Sequence, residues 1–332
     1  MAEKAKVKAL VLFSGGLDST LAVKLILDQG INVEAINFVT PFGACKKGEN
    51  SAAEAAKKLG IPLKTVFLGS DYLKIVRRPK HGYGKNMNPC IDCKILMLKK
   101  AKKHAKSIGA QFIFTGEVLG ERPMSQHMKA LRLIEEEAGL KGKVLRPLSA
   151  KLLPETEAEK RGFVDRNRLL DIRGRSRKRQ IALAKEFGIT DYEWPSGGCL
   201  LTYKEFSSKL RDLLAHKKRV SMRDLELLRV GRHFRLGANK IIVGRNEQEN
   251  RLLLKLKAEN DFYFEAQGYG SPITLLQGLK TKEAIEKAAQ LTAYYSDQKT
   301  GKVTVKYGRE KLEKILFVDR PSKEEVEHLR IK

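Results

Sequence analysis

Apolar residues in the first 120 positions fall into short runs separated by segments with helical spacing. Val7 to Phe13 is an apolar run that stops at a glycine pair, and Ser19 to Asp28 then places its apolar residues at helical intervals. Val33 to Phe38 and Leu63 to Leu68 read as further strands, with the Ala-rich helical stretch Ser51 to Leu59 between them. Ile95 to Ile108 predicts a long basic helix, followed by a strand at Phe112 to Thr115. Repeated strand–helix units of this length predict a parallel sheet covered by helices, of the doubly wound, Rossmann-like α/β type. Ligands of such a sheet sit beyond the carboxyl ends of its strands.

The pattern changes along the second half. Leu145 to Gly188 reads as mostly helical and strongly basic, and a Pro/Gly-rich stretch follows at Trp194 to Gly198. Tyr203 to about Val230 is charged and helical. Short strands are then predicted at Lys240 to Val243, Arg251 to Leu256, Phe262 to Ala266 and Val303 to Tyr307, with one helix at Glu283 to Tyr295. The expected organisation is an α/β domain over residues 1–202, a helical connector over 203–232 and a smaller α+β domain over 233–332.

Composition sharpens this picture. The chain has 332 residues and an apolar fraction of 42%, ordinary for globular domains with sizeable cores. No apolar run approaches the roughly 20 residues that span a bilayer, and Met1 to Lys8 lacks signal-peptide architecture, so the expected location is the cytoplasm. Lys and Arg number 65 against 39 acidic residues, a formal net charge of +26. That excess predicts a polyanionic partner, of which nucleic acid is the commonest. Four cysteines, Cys45, Cys90, Cys93 and Cys199, are too few for a disulfide scaffold; the CxxC pair points to metal, cluster or redox chemistry.

Ser14-Gly15-Gly16-Leu17-Asp18-Ser19-Thr20 follows the first strand and opens the first helix. Two glycines let the backbone approach an anion, and the helix N-terminus offers free amides and a favourable dipole. Ser14 and Ser19 add hydroxyl donors, and Asp18 is suited to a magnesium ion on phosphate oxygens. The GK[ST] ending of a Walker A loop is absent. The run SGGLDS resembles the PP-loop of the ATP pyrophosphatase families, which cleave ATP between the α and β phosphates and transfer AMP to a substrate oxygen. The resemblance covers most of the first 200 residues. It implies ATP and Mg²⁺ at Ser14, Gly15, Gly16, Asp18 and Ser19, with Phe38 near the adenine and Thr115-Gly116-Glu117 bordering the site.

Asn88-Pro89-Cys90-Ile91-Asp92-Cys93-Lys94 precedes a helix, and Ser196-Gly197-Gly198-Cys199-Leu200 lies far downstream. Both segments resemble the MnmA/TRMU-type 2-thiouridylases, whose two catalytic cysteines match Cys93 and Cys199. That family ordinarily lacks a cysteine at the position of Cys90. The extra thiol resembles the cluster-dependent tRNA thiolases, in which a CxxC and one distant cysteine hold a [4Fe-4S] cluster; three thiolates ligate three irons and leave one free for hydrosulfide. A persulfide relay through Cys93 and Cys199 is the second reading. A zinc site completed by Cys45 is the third.

Arg173, Arg175, Arg177, Lys178 and Arg179 lie in one short stretch, and Lys99, Lys100, Lys102, Lys103 and Lys106 crowd one helix. Such clusters suit RNA phosphates, which position a substrate without reading its sequence. Val243-Gly244-Arg245-Asn246, Asp261 to Ala266, Gly270-Ser271-Pro272, and Ala288-Ala289 with Ala293 to Ser296 resemble successive motifs of the NFACT-R RNA-binding domain, with Glu265 replacing that family's usual histidine. Together the resemblances imply an ATP-dependent tRNA sulfurtransferase that adenylates a uridine carbonyl and replaces its oxygen with sulfur. The sulfur donor would be hydrosulfide, a cysteine desulfurase or a sulfur-carrier protein. A PP-loop enzyme acting on a small molecule and a non-catalytic nucleotide-sensing RNA-binding factor are the alternatives.

Overall fold

The computed structural model describes residues 7–43, 51–190, 192 and 198–332. The chain divides into two compact units, Met1–Thr202 and Tyr203–Lys332. Cys45, Trp194, Ser196 and Gly197 lie outside the described residues.

In the first unit β1 (Lys8–Leu12), β2 (Asn32–Val39), β3 (Leu63–Phe67), β4 (Phe112–Thr115) and β5 (Val144–Leu145) form a parallel sheet in the order β3-β2-β1-β4-β5. Alternation along β1 explains the layering. Ala9 and Val11 face one core with Leu21 and Ile26 of α1 (Leu17–Leu27), Ala52 and Ala56 of α2 (Ser51–Lys58), and Ala184 further along. Leu10 faces the opposite core. There it meets Ile95 and Leu98 of a helix over Cys90–Ser107 and Ile134 of a helix over Met128–Ala138. With α3 (Ser70–Arg77) placed before them, these two are α4 and α5. Helices cover both faces, as a doubly wound sheet requires. The chain reverses direction across the sheet between β1 and β4, and the crevice at that switch point receives the glycine pair after β1.

Leu145 to Gly188, expected to be mostly helical, holds only the short helix α6 (Glu157–Lys160), two 3₁₀ turns and α7 (Lys178–Glu186). Pro147, Pro154 and three glycines interrupt the periodicity in this stretch.

The second unit begins with α8 (Lys204–His216) and α9 (Met222–Leu227), the segment read as a connector. Both pack within the unit: Arg235 pairs with Asp212 of α8, and Lys217 with Asp224 of α9 at 2.8 Å. The strands β6 (Arg232–Leu236), β7 (Asn239–Val243), β8 (Phe262–Ala266), β9 (Thr274–Gln277), β10 (Val303–Gly308) and β11 (Lys314–Val318) form an antiparallel sheet in the order β11-β10-β8-β9-β7-β6. Arg251 to Leu256, expected as a strand, belongs instead to helix α10 (Glu247–Leu256). The Asn246 side chain accepts from Glu249 N at 3.0 Å and caps it, with Glu247 and Glu249 in the first turn. Helix α11 (Lys282–Tyr295) buries Ala284, Ala288 and Leu291 against one face of the sheet, and Val326 of α12 (Lys323–Leu329) joins that core. Leu253 of α10 and Leu227 of α9 cover Ile242 and Leu275 on the other face. Among the described residues no helix is long and apolar enough to cross a membrane.

Candidate functional site

The loop after β1 has the backbone and hydroxyl geometry that suits an anion. Gly15 has φ +77°, a left-handed conformation that favours glycine, and Gly16 caps α1 with no side chain closing its first turn. Ser19 Oγ donates to Gly16 O at 2.8 Å and lies 3.2 Å from Ser14 Oγ, so both hydroxyls line the loop. The opposite wall is Gly116, just past β4. A Cβ there would stand 2.5 Å from the N and Cα of Ser19, so no side chain separates the two backbones.

Asp18 opens α1 with one carboxylate oxygen accepting from Arg177 Nη2 at 3.1 Å, while Oδ1 is buried with no hydrogen-bond partner. Arg177 also approaches Glu121 Oε1 at 4.0 Å. Burial, and then the charge of Asp18, push the Glu121 carboxyl up from its ordinary range. Arg177, expected on the RNA-binding surface, is therefore engaged at the phosphate loop, and Arg179 pairs with Asp171 at 2.6 Å. Arg173, Arg175 and Lys178 are exposed and make no ion pair among the described residues. The backbone of Arg173 bridges Leu119, which sets this basic stretch beside the segment following Gly116. Phe38 ends β2 half-buried against the core under α4, together with Leu12.

Glu117 turns inward. It pairs with Lys94 and accepts from Arg146 Nε at 3.0 Å and Thr115 Oγ1 at 3.2 Å; Arg146 in turn pairs with Glu135. Lys94 is one residue past Cys93. Burial, with Arg122 and Arg146 adding repulsion, holds its ammonium down to about 8.

The three described cysteines converge through backbone ties. Cys90 and Cys93 occupy the first turn of α4, three residues apart and hence on one face. Asn86, itself in the left-handed region, donates from Nδ2 to Thr202 O at 2.7 Å, and Met87 N donates to Leu201 O at 3.1 Å. Cys199 bridges Gly43, and Leu200 N donates to Phe42 O at 2.9 Å. Asp92 fixes the approach to α4 by accepting from Lys80 N and His81 N at 3.0 and 3.1 Å.

Tyr72 of α3, buried beside Phe42, lies within hydrogen-bonding reach of Cys93 and Cys199, with its one hydroxyl proton available to one of them at a time, and interacts electrostatically with Cys90 as well. Burial pushes the Cys93 thiol up to about 12 and Cys199 up to about 11, with the neighbouring thiols adding to both. Among the described residues no three Cys, His, Asp or Glu side chains are already drawn into a metal-ligating group. Cys90, Cys93 and Cys199, all free and coupled through one phenol, are nonetheless the donor type that a thiolate-ligated metal or cluster takes.

The sequence carried no sign of Tyr72, Arg122, Arg146 or Glu121 as site residues. Only Lys94, adjacent to the CxxC, had a local signal; the others come from loops and helices that the fold assembles.

The first unit is thus a doubly wound α/β domain with a glycine loop after β1, and the second an antiparallel α+β module. The family profile described as thiamine biosynthesis protein (ThiI) matches residues 4–151, and that of the NFACT protein RNA binding domain matches 231–330. The two matches divide the chain into a ThiI-like N-terminal part and an NFACT-R-like C-terminal part.

The tRNA-specific 2-thiouridylase MnmA of Listeria monocytogenes serotype 4a is 23% identical over 341 residues, covering 94% of this chain and 88% of that protein. MnmA of Psychromonas ingrahamii is 29% identical over 144 residues, 40% of this chain and 39% of the relative. The probable tRNA sulfurtransferase of Thermococcus kodakarensis is 29% identical over 150 residues, 42% of this chain and 36% of the relative. The chain thus spans less than two-fifths of the length of the last two relatives.

Among solved structures, a 4-thiouridine synthetase–RNA complex with bound ATP aligns at 22% identity and TM-score 0.36, covering 67% of this chain and 52% of that one. The U34-tRNA thiolase NcsA of Methanococcus maripaludis with its [4Fe-4S] cluster aligns at 18% identity and TM-score 0.36, covering 63% and 66%.

Proposed function

We propose that this protein is an ATP-dependent tRNA sulfurtransferase. The observation that carries the reading is the Lys94–Glu117 ion pair. It ties the helix that presents Cys90 and Cys93 to the strand end whose Gly116 packs on the phosphate loop, so one crevice holds an ATP-binding loop and three converging thiols. Matches to thiouridylases and tRNA sulfurtransferases support the same chemistry.

In this reading the free amides at the start of α1 and the Ser14 and Ser19 hydroxyls hold the phosphates of ATP. Asp18 exchanges Arg177 for the magnesium that ATP brings, and Arg177 is released toward the phosphates. A uridine carbonyl oxygen attacks the α-phosphorus and pyrophosphate leaves; the loop amides and nearby cations stabilise the charge that develops. Adenylation converts a poor leaving group into a good one. Sulfur delivered from the thiol side then attacks the activated carbon and AMP departs, the proximity of donor and base contributing much of the rate.

Cys90, Cys93 and Cys199 would hold a [4Fe-4S] cluster, which supplies an iron without a protein ligand as a docking point for sulfide. Tyr72 orients Cys93 and Cys199 by hydrogen bonding. Exposed Arg173, Arg175 and Lys178 lie beside the crevice as phosphate contacts for the tRNA, and the NFACT-R unit supplies further RNA affinity.

Mass spectrometry of tRNA nucleosides from cells with and without the gene tests the reading. Loss of one thiouridine in the deletion, restored by the wild-type gene but not by Asp18→Ala, is expected. An unchanged set of thiouridines would overturn it.

A further inference from the structure

One end of the sheet in the second unit gathers cations that no carboxylate neutralises among the described residues. Around the ring of Phe262, the first residue of β8, stand Lys280 Nζ at 5.8 Å, the Arg309 guanidinium at 5.4 Å and Lys314 Nζ at 6.0 Å. Lys314 lies as close to Tyr307, at 5.9 Å, whose ring stacks on Phe264. The three come from the segment after β9, the turn after β10 and the start of β11. Antiparallel pairing brings Phe262 opposite Leu276 and Tyr307 opposite Lys314, so all reach the same end of the sheet.

The contrast with the rest of the unit is informative. Arg223, Arg235, Lys217 and Arg245 are each paired with an aspartate or glutamate. Lys280, Arg309 and Lys314 have no such partner among the described residues, although Glu310 and Glu313 lie in the same turn. Each ring face or edge repays a cation only modestly, on the order of 0.5–1 kcal/mol at exposed sites. Three like charges around one ring also repel one another.

The backbone nevertheless enforces the arrangement. Lys280 is a non-glycine residue at φ +57°, with its amide donating to Asn239 Oδ1 at 2.7 Å. Gly278 before it has φ +110°, and a Cβ there would lie 2.6 Å from Ala238 O. At Gly308 a Cβ would lie 1.7 Å from Lys311 O, which forces the tight turn that carries Arg309. Left-handed geometry at a lysine is strain that the surrounding structure has to hold in place. Helix α11 starts immediately after Lys280, so its positive dipole end adds to the same field.

We propose that this end of the sheet is the RNA-docking surface of the second unit, with Lys280, Arg309 and Lys314 contacting neighbouring phosphates of the RNA backbone. The proposal rests on the RNA-binding reading of that unit and names its contact surface. Phe262 is too buried to stack on a base; it fixes the three cations in place, so the contact reads charge and backbone shape rather than sequence.

The test is tRNA binding by the full chain over a salt series, comparing wild type with the triple variant Lys280→Gln/Arg309→Gln/Lys314→Gln. Each lost phosphate contact lowers the slope of log affinity against log salt by about 0.7–0.9. The triple variant should therefore lose roughly two units of slope and bind about tenfold or more weakly at moderate salt. The charge-keeping variant Lys280→Arg/Arg309→Lys/Lys314→Arg should stay near wild type. The single change Arg309→Gln, at an exposed side chain that does not bear on folding, should remove about one contact. A triple variant that folds and keeps the wild-type slope would overturn the surface while leaving RNA binding by the unit intact. A wild-type chain without measurable tRNA affinity would overturn the RNA-binding reading and the surface with it.

Discussion

Gly116 and Ser19 touch backbone to backbone: a Cβ on Gly116 would lie 2.5 Å from both the amide nitrogen and the Cα of Ser19. The strand end and the phosphate loop are therefore one rigid construction, and the methyl group of alanine has no room in it. Gly116→Ala must push α1 away from β4. Overpacking of this kind costs roughly 1–3 kcal/mol. We expect a melting temperature several degrees lower and ATP affinity reduced at least tenfold, measured by the ATP-dependent shift in melting. An unshifted ATP response would separate Gly116 from the nucleotide site.

Arg177 and Asp18 form the second relationship at that loop, 3.1 Å apart. Asp18→Ala should abolish tRNA-dependent pyrophosphate release and leave tRNA affinity nearly unchanged. Arg177→Gln should lower kcat for pyrophosphate release about tenfold or more, again with little loss of tRNA binding. By contrast, Arg173→Gln/Arg175→Gln/Lys178→Gln should weaken tRNA binding and flatten its salt dependence, since those side chains are exposed and make no ion pair among the described residues. Equal losses of RNA affinity in Arg177→Gln and in the triple variant would return Arg177 to the RNA surface.

The difference between Arg177 and its neighbours shows where the sequence stopped being legible. SGGLDS between a strand and a helix, and the CxxC at a helix start, are local patterns that the sequence displays by itself. Which of five clustered cations turns inward depends on the bridge between Leu119 and Arg173, a contact across more than fifty residues. Glu117 was legible as a residue at the strand end, but its pairing with Lys94 and Arg146 was not, because those partners arrive from α4 and from just past β5. Arg251 to Leu256 misled for another reason. Three consecutive leucines suggested a strand, whereas the Asn246 cap and the acidic first turn decided for a helix.

Tyr72 isolates the contribution of the thiol side. Tyr72→Phe keeps the buried ring and removes only the hydroxyl that serves Cys93 and Cys199. We expect pyrophosphate release to persist while thiouridine formation falls at least tenfold. Parallel loss of both activities would make Tyr72 a packing residue only.

His233 supplies a pH test of the second unit. It is fully buried, and its Nε2 donates to Val230 O at 2.8 Å. Burial, with Lys240 and Lys209 adding repulsion, holds its pKa well below 6.5. Above pH 6.5 the ring is neutral whether the chain is folded or unfolded. As pH falls below 6.5 the unfolded chain takes up a proton that the folded chain refuses, so stability declines by up to about 1.4 kcal/mol per pH unit. Between pH 7 and 5 the wild type should lose stability more steeply than His233→Gln in calorimetry. Parallel slopes would show that His233 titrates in the folded state.

Cys90 separates the two routes for sulfur. If the three thiols hold a cluster, anaerobically purified protein carries about four irons per chain. Cys90→Ser, Cys93→Ser and Cys199→Ser then each lose iron and thiolation together. A persulfide relay instead requires Cys93 and Cys199, tolerates Cys90→Ser and needs no iron. An iron-free, active wild type that tolerates Cys90→Ser would exclude the cluster and leave the sulfurtransferase reading standing.

The most direct test of the account is thiouridine formation from purified components: anaerobically prepared protein, unmodified tRNA, ATP with magnesium, and sulfide. The account predicts a thiouridine detected by mass spectrometry, with AMP and pyrophosphate released in equal amounts to it. Asp18→Ala and Cys93→Ser should each abolish the product. ATP-independent product, or pyrophosphate release by the wild type with no thiouridine under any sulfur supply, would contradict a shared site for ATP and sulfur.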